Sequence, residues 1–122
     1  MHTGAIQNWA NMLFGRMQHA ATYSSEKVYV FGGYKSKILK KSEQLDLSKN
    51  KWSPLPDLPQ PTANNNAVVL KGIIYITGFY LSSVLKYDPF SSIYTKFSIP
   101  RGNVNKVNKG ILALNETLLV FV

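Results

Sequence analysis

The sequence predicts an all-β repeat protein of four-stranded antiparallel units, because one type of strand recurs three times. The strand at residues 27–33 is rich in β-branched and aromatic residues and runs into two glycines. Similar strands return at residues 72–78 and 116–121, at a spacing of about 45 residues. Repeat periods in this range are typical of propeller blades or of solenoid arrays.

The first full unit covers residues 16–61 and is expected to hold four strands joined by polar turns. These strands are predicted at residues 20–23, at 27–31, at 43–47 and from Trp52 onward. Residues 34–41 are interpreted as a lysine-rich loop. Prolines lack the N–H group that a β-ladder uses, so a run of prolines predicts a linker to the next unit. These prolines are Pro54, Pro56, Pro59 and Pro61.

A second unit is predicted over residues 62–100, with partial units on both sides of the two full ones. Its strands are expected at residues 66–70, 73–77, 83–87 and 94–97. Residues 101–122 are predicted to hold a linker and two strands of a further unit, at residues 109–114 and 117–122. Residues 1–15 match the last strand of a preceding unit, because Trp9 stands one repeat before Trp52.

Composition excludes several classes of site. The 122-residue chain has no Cys, which removes disulfides, thiol catalysis and cysteine-ligated zinc. Neither a secretory signal in residues 1–15 nor an apolar run of roughly 18 residues is present, so we expect a cytoplasmic protein without a membrane span. The net charge is +8, from 14 basic and 6 acidic residues, which favours nucleic acid, an anionic membrane or an acidic protein surface as partner, or else a solvated lysine-rich surface.

Several residue types recur in one order across the two units, and this order resembles the kelch repeat. The matching residues are Arg16, His19, Tyr29, Gly32, Gly33, Glu43, Asp46 and Trp52 in the first unit, and Tyr75, Gly78, Tyr87, Asp88 and Tyr94 in the second. The second unit departs from the pattern at Thr62 and Phe79, and at the position of Trp52 it carries the aromatic residue Tyr94 instead of Trp. The resemblance implies a kelch-type β-propeller segment of four-stranded antiparallel blades, too short to close a ring alone.

This incomplete ring leaves three arrangements open. The chain is a fragment of a longer propeller, pairs with a second copy through its incomplete blades, or stands as a short open array. The residues that match the repeat are assigned structural roles. Tyr29 and Trp52 are expected to pack between sheets, Glu43 to pair with a buried cation such as Arg16, and His19 to be packed and hydrogen-bonded.

The long connections of an up-and-down blade lie at one end of the sheet, and long loops on a rigid scaffold commonly carry binding sites. Similar kelch propellers bind protein partners at this end, often as substrate receptors of ubiquitin ligases or as cytoskeleton-binding proteins. The predicted contact set is Tyr34, Lys35, Lys37, Lys40, Lys41, Tyr80 and Arg101. The sequence therefore predicts a protein-interaction module whose partner is a protein of unspecified identity.

Two alternative functions have weaker support. A few kelch-like propellers are oxidases, isomerases or lyases, but neither His2 nor His19 forms a spacing with the acidic residues that indicates acid–base catalysis. No catalytic residue, cofactor, metal or small-molecule substrate is predicted. Nucleic-acid binding would depend on charge alone, since the lysine cluster lacks interleaved aromatic residues.

Overall fold

The computed structural model describes residues 9–81, 83–97, 110–114 and 117–121, and the regular structure in these ranges is entirely β. The strands are β1 (Ala20–Ser24), β2 (Lys27–Phe31), β3 (Tyr34–Lys35), β4 (Lys37–Ile38), β5 (Ser42–Asp46), β6 (Lys51–Leu55), β7 (Asn66–Leu70), β8 (Ile73–Thr77), β9 (Val84–Asp88), β10 (Ile93–Phe97), β11 (Gly110–Leu114) and β12 (Thr117–Phe121). In the described ranges no helix is long and apolar enough to cross a membrane.

The strands form two four-stranded antiparallel sheets in which sequential strands pair. The first sheet has the order β1-β2-β5-β6 and the second has the order β7-β8-β9-β10. The pairs β11-β12 and β3-β4 form two separate two-stranded sheets. Strand β1 lies against β7, and β7 lies against β11, so the first strands of successive sheets adjoin one another. This is the arrangement expected of neighbouring propeller blades.

Two of the hairpin turns have the backbone geometry that twisted strands favour. Ser25 and Glu26 have φ values of 52° and 63°, and they connect β1 to β2. Lys71 and Gly72 have φ values of 53° and 80°, and they connect β7 to β8. Positive φ at both central residues matches a type I′ turn, whose twist agrees with that of the flanking strands. The predicted turns at these positions are therefore confirmed.

The core lies between the two sheets and combines aliphatic side chains with a cluster of aromatic rings. Tyr29 and Phe31 of β2 face Ile74 and Ile76 of β8, and all four are buried. The Phe31 ring meets the Tyr87 ring edge-on, with centroids 5.7 Å apart at 65°. Truncating a buried Phe of this kind costs about 3–5 kcal/mol. The recurrent apolar strands therefore shield each other across a shared interface, as the repeat predicted.

The structure corrects two predictions within the first unit. Pro54 does not belong to a linker, because it lies in β6 and pairs with Glu43 of β5. Strand β6 is the edge of its sheet, and an edge strand tolerates proline because no strand on its outer side needs the missing N–H group as a donor. Residues 34–41 are not a plain loop, because they contain the short β3–β4 hairpin with Ser36 at its turn.

The remaining strand bounds agree with the prediction to within one residue where the structure describes them. Strands β7 and β8 match the predicted ranges, and β9 begins one residue later than expected. Residues 9–15 form no strand, so the predicted last strand of a preceding unit does not lie in them. Residues 1–8 and the predicted linker at 101–106 lie outside the described residues, and the unit boundaries at 61/62 and 100/101 stay predictions.

Candidate functional site

The long connections of both sheets meet at one end of the molecule and form a continuous surface. We call residues 32–41, 56–65 and 78–81 the long-loop surface. Three backbone hydrogen bonds join its segments: Gly33 N donates to Thr62 O at 2.9 Å, Leu58 N to Lys40 O at 2.8 Å, and Phe79 N to Ala63 O at 2.9 Å. Because each loop is hydrogen-bonded to the next, the surface is an ordered part of the fold.

The two glycines that end β2 allow these loops to approach closely. Gly32 has φ 65°, and a Cβ atom there would lie 2.6 Å from Asn65 Oδ1. Gly33 has φ 110°, and a Cβ atom there would lie 2.7 Å from Met17 O. Only glycine fits both the backbone conformation and the available space. The Gly-Gly pair is therefore explained by the contact between loops.

A buried ion pair supports the surface from below. Arg16 and Glu43 form this pair with side chains that are 0% and 3% exposed. The Arg16 guanidinium also donates to Gly32 O at 3.0 Å and to Lys41 O at 2.8 Å. Glu43 accepts from the backbone N–H groups of residues 13 and 14 at 2.8 Å and 3.1 Å. One ion pair thus ties the segment before β1 to the start of β5.

The second sheet replaces this ion pair with neutral hydrogen bonds. Thr62 Oγ1 donates to Phe79 O at 2.6 Å, and Asn65 Nδ2 donates to Thr62 Oγ1 at 3.0 Å and to Thr77 O at 3.1 Å. Asn65 Oδ1 is buried without a hydrogen-bond partner among the described residues. The neutral network therefore leaves one acceptor unused.

His19 stands where the second sheet has Asn65, and it departs from the prediction. Its Nδ1 atom is buried and has no hydrogen-bond partner in the described part of the chain, so the expected hydrogen bond is missing at this atom. Burial lowers the pKa of His19, the Arg16 charge lowers it further, and Glu43 opposes both. The imidazole is therefore neutral at pH 7.

The β3–β4 hairpin presents the first group of predicted contact residues. Met17 N donates to Tyr34 O at 3.1 Å, and Tyr34 N donates to Met17 O at 2.7 Å, which holds β3 against the segment before β1. The side chains of Tyr34, Lys35 and Lys37 are exposed. The Lys35 Nζ atom lies 5.7 Å from the centre of the Phe14 ring, a cation–π distance.

The remaining predicted contact residues lie on the same surface where the structure describes them. Lys40 and Lys41 are exposed, and Lys41 Nζ lies 3.8 Å from Asp57 Oδ1 in a solvent-accessible ion pair. Tyr80 is 66% exposed and has φ 70°, an uncommon conformation for a bulky residue. The Gln60 side-chain amide donates to Tyr80 O and holds this loop. Arg101 lies outside the described residues.

The aromatic residues that match the repeat divide between two faces of the first sheet. Tyr29, Tyr87 and Tyr94 pack between the two sheets, and the Tyr94 hydroxyl donates to Pro56 O at 2.8 Å. Burial raises the pKa of Tyr94. Trp52 lies on the opposite face, where its Nε1 donates to Ala10 O at 2.7 Å. It does not pack between the two described sheets, and its packing against a further sheet stays a prediction.

The other motif residues shape turns and strands. Asp46 Oδ1 accepts from Ser48 Oγ at 2.7 Å and from Ser48 N at 3.0 Å, and these bonds lower the pKa of Asp46. Asp88 Oδ1 accepts from Phe90 N at 2.9 Å in the matching turn of the second sheet. Tyr75 is half-buried in β8. A Cβ atom at Gly78 would lie 2.1 Å from Asn65 Nδ2, so this glycine also permits a close contact.

A group of exposed apolar side chains beside the hairpin was not predicted from the sequence. Leu13, Phe14 and Met17 are exposed next to the lysines of β3 and β4. Apolar residues directly before the Arg16 position were a usable signal, since that position is anchored at the long-loop surface. In the part of the chain that the structure describes, His, Asp and Glu residues form no cluster of three or more that could hold a metal ion.

Comparison with known proteins identifies this architecture. Residues 15–59 match the family model described as the kelch motif. Beta-scruin of Limulus polyphemus is 29% identical over 126 residues, which cover 86% of this chain and 14% of the relative. Kelch-like protein 33 of Homo sapiens is 36% identical over 70 residues, which cover 52% of this chain and 13% of the relative.

A solved structure shares the fold. The structure of YjhT matches with a TM-score of 0.72 at 20% sequence identity, over 92% of this chain and 35% of that chain. The chain therefore spans about a seventh of the two curated relatives and about a third of the structural neighbour. Residues 15–59 therefore carry a kelch motif, and the chain is similar to kelch-repeat β-propeller proteins in sequence and in its stacked four-stranded sheets.

Proposed function

We propose that this chain is a protein-interaction module whose long-loop surface binds an acidic segment of a partner protein. The observation that carries the proposal is the β3–β4 hairpin, which holds exposed lysines on a hydrogen-bonded scaffold. Preorganised charges cost less to order on binding than charges on an unconstrained loop. The kelch family supports the same role, since similar propellers bind proteins at this end.

Charge distribution favours an acidic partner. In residues 32–41, 56–65 and 78–81 the basic side chains are Lys35, Lys37, Lys40 and Lys41, and the only acidic side chain is that of Asp57. The Asp57 carboxylate lies 3.8 Å from Lys41 and leaves the other lysines uncompensated. A surface of one charge sign steers an oppositely charged partner and raises its association rate. A place within a ubiquitin-ligase adaptor or a cytoskeleton-binding protein is consistent with this proposal.

Charge reversal at the hairpin tests the proposal. Lys35, Lys37 and Lys40 are replaced together by Glu, and the matched control replaces Lys49, Lys51 and Lys71 at the opposite end of the sheets. The probe is a short fluorescein-labelled peptide rich in glutamate, followed by fluorescence anisotropy at low salt. We expect the hairpin variant to lose affinity by about tenfold or more, and the control variant to lose much less.

Two results would overturn the proposal. Equal losses in the two variants would show that net charge alone attracts the peptide. Tighter binding of random duplex DNA than of the peptide at physiological salt would assign the lysines to nucleic acid instead. Thermal unfolding of both variants, measured in parallel, tests whether each variant is folded under the conditions of the binding measurement.

A further inference from the structure

We infer that a cavity beside the long-loop surface takes one apolar side chain of the partner, with acidic residues next to it. This inference depends on the proposed function and defines the partner segment more narrowly. The cavity has a volume of about 170 Å³ and lies between the segment before β1 and the outer strands of the first sheet. Its apolar walls are Leu13, Phe14 and Pro54.

The walls are exposed although their backbone is fixed. Leu13 is 60% exposed and Phe14 is 37% exposed. Their backbone N–H groups both donate to the Glu43 carboxylate, which anchors this turn of chain to β5. Binding of a partner over these side chains is favourable, because it removes apolar area from water and the backbone is already ordered.

The base of the cavity offers an incoming group no charge. Arg16 and Glu43 lie there and neutralise each other in their ion pair. Arg16 also donates to the carbonyls of Phe14, Gly32 and Lys41, and Glu43 accepts two N–H groups. Because Arg16 and Glu43 are engaged with each other and with backbone groups, an apolar side chain fits there better than a polar one.

The rim of the cavity is basic. Lys41 lines the cavity, and Lys35 lies with its Nζ atom 5.7 Å from the Phe14 ring centre. Lys41 is only loosely paired with Asp57, since both side chains are about half exposed. An apolar cavity with cations on its rim complements an apolar side chain that carries neighbouring carboxylates. The volume suits a side chain of the size of Leu or Phe, since a cavity of about 150 Å³ accommodates benzene.

Peptides that differ at one position test the inference. The probe is a short fluorescein-labelled peptide with a single leucine among glutamates, compared with the same peptide carrying alanine in place of leucine. The variants are Phe14→Ser and Leu13→Ser, and the matched control is Phe90→Ser, since Phe90 is 98% exposed in the β9–β10 turn. We expect the wild type and the Phe90 variant to bind the leucine peptide about tenfold more tightly than the alanine peptide.

Both cavity variants should reduce that leucine-to-alanine ratio to about one while still binding the acidic peptides. An unchanged ratio in both variants, or no preference for leucine in the wild type, would overturn the inference. In that case the proposed function still stands if charge reversal at Lys35, Lys37 and Lys40 weakens binding. If charge reversal has no effect, the proposed function fails, whatever the ratio is.

Discussion

The two sheets use different chemistry at the same place in the repeat. In the first sheet, Glu43 of β5 lies opposite Val30 of β2, and Arg16 neutralises its charge. In the second sheet, Leu85 of β9 lies opposite Ile76 of β8, at the position that Glu43 has in the first sheet. Thr62 stands at the repeat position of Arg16. The second sheet shows that the fold does not require the buried ion pair. The ion pair therefore has an additional consequence, which is to fix residues 13 and 14 beside the hairpin.

The loops after β2 and β8 differ in the same way. The first loop places its positive φ values at Gly32 and Gly33, which tolerate them, and then forms the β3–β4 hairpin. The second loop has Phe79 in place of the second glycine, and the positive φ falls on Tyr80 instead. Without the second glycine, the loop therefore places its left-handed backbone conformation one residue later, at Tyr80, where a bulky side chain makes that conformation strained.

The largest effect is expected from removing one member of the ion pair. Arg16→Met leaves the Glu43 carboxylate buried without its cation, which should lower the free energy of unfolding by about 3–5 kcal/mol. The double variant Arg16→Met with Glu43→Leu imitates the apolar residue of the second sheet. We expect it to recover most of the lost stability, because no charge then remains buried. Urea unfolding of the three proteins gives these values.

This comparison fails if the double variant is as unstable as Arg16→Met. Such a result would show that the hydrogen bonds of the pair to the backbone, from Arg16 to Gly32 O and Lys41 O and from residues 13 and 14 to Glu43, stabilise the first sheet more than charge neutralisation does.

A smaller effect of opposite sign is expected at Tyr80. Tyr80→Asn should raise the free energy of unfolding by about 0.5–1 kcal/mol, because Asn adopts the left-handed conformation at lower cost than Tyr. The exposed ring contributes little packing, apart from an edge contact with Phe79 at 6.1 Å. The matched control is Tyr23→Asn, an exposed tyrosine in regular β1, which should be neutral or destabilising. A destabilised Tyr80 variant would show that the ring, and not the backbone, dominates at this position.

The smallest effect is a pH dependence at His19. The folded state lowers the pKa of His19, so the unfolded state binds its proton first, near the ordinary value of 6.5. Stability of the wild type should therefore fall as pH decreases below 6.5, and it should not change from this group above that value. His19→Asn introduces the residue of the second sheet and should lose this dependence. Urea unfolding between about pH 8 and about pH 5 measures the difference.

A constant difference in stability between wild type and His19→Asn across this pH range would contradict the assigned direction of the shift. An increase in wild-type stability on acidification would contradict it more strongly, because it would require a favourable partner for the imidazolium.

The sequence was sufficient to predict the strands and the surface on which the long loops lie. Residue types and the recurrence of about 45 residues located β1, β2, β5 and β7 to β10 within a residue. The end of β6 was not located, because Pro54 was assigned to a linker. The β3–β4 hairpin was not predictable in this way. Its strands have two residues each and lie among lysines and serine, so they show no alternation.

The site was predictable only in part, because much of it depends on register and on distant contacts. The face that Trp52 occupies follows from its pairing with Leu45, and a shift of one residue would move it to the core side. The cavity is formed by Leu13 and Phe14 together with Pro54, and no local pattern links positions so far apart. The role of Pro54 was mistaken because an edge strand tolerates proline.

The central claim is that the long-loop surface is where this module binds an acidic protein segment. Titration of the ¹⁵N-labelled protein with the glutamate-rich peptide, followed by amide chemical shifts, maps the binding surface without choosing residues in advance. We predict that the shifted amides cluster in residues 34–41 and 56–62 and at Tyr80. Shifts that cluster instead at the opposite turns, residues 25–26, 48–50 and 90–92, would contradict the account.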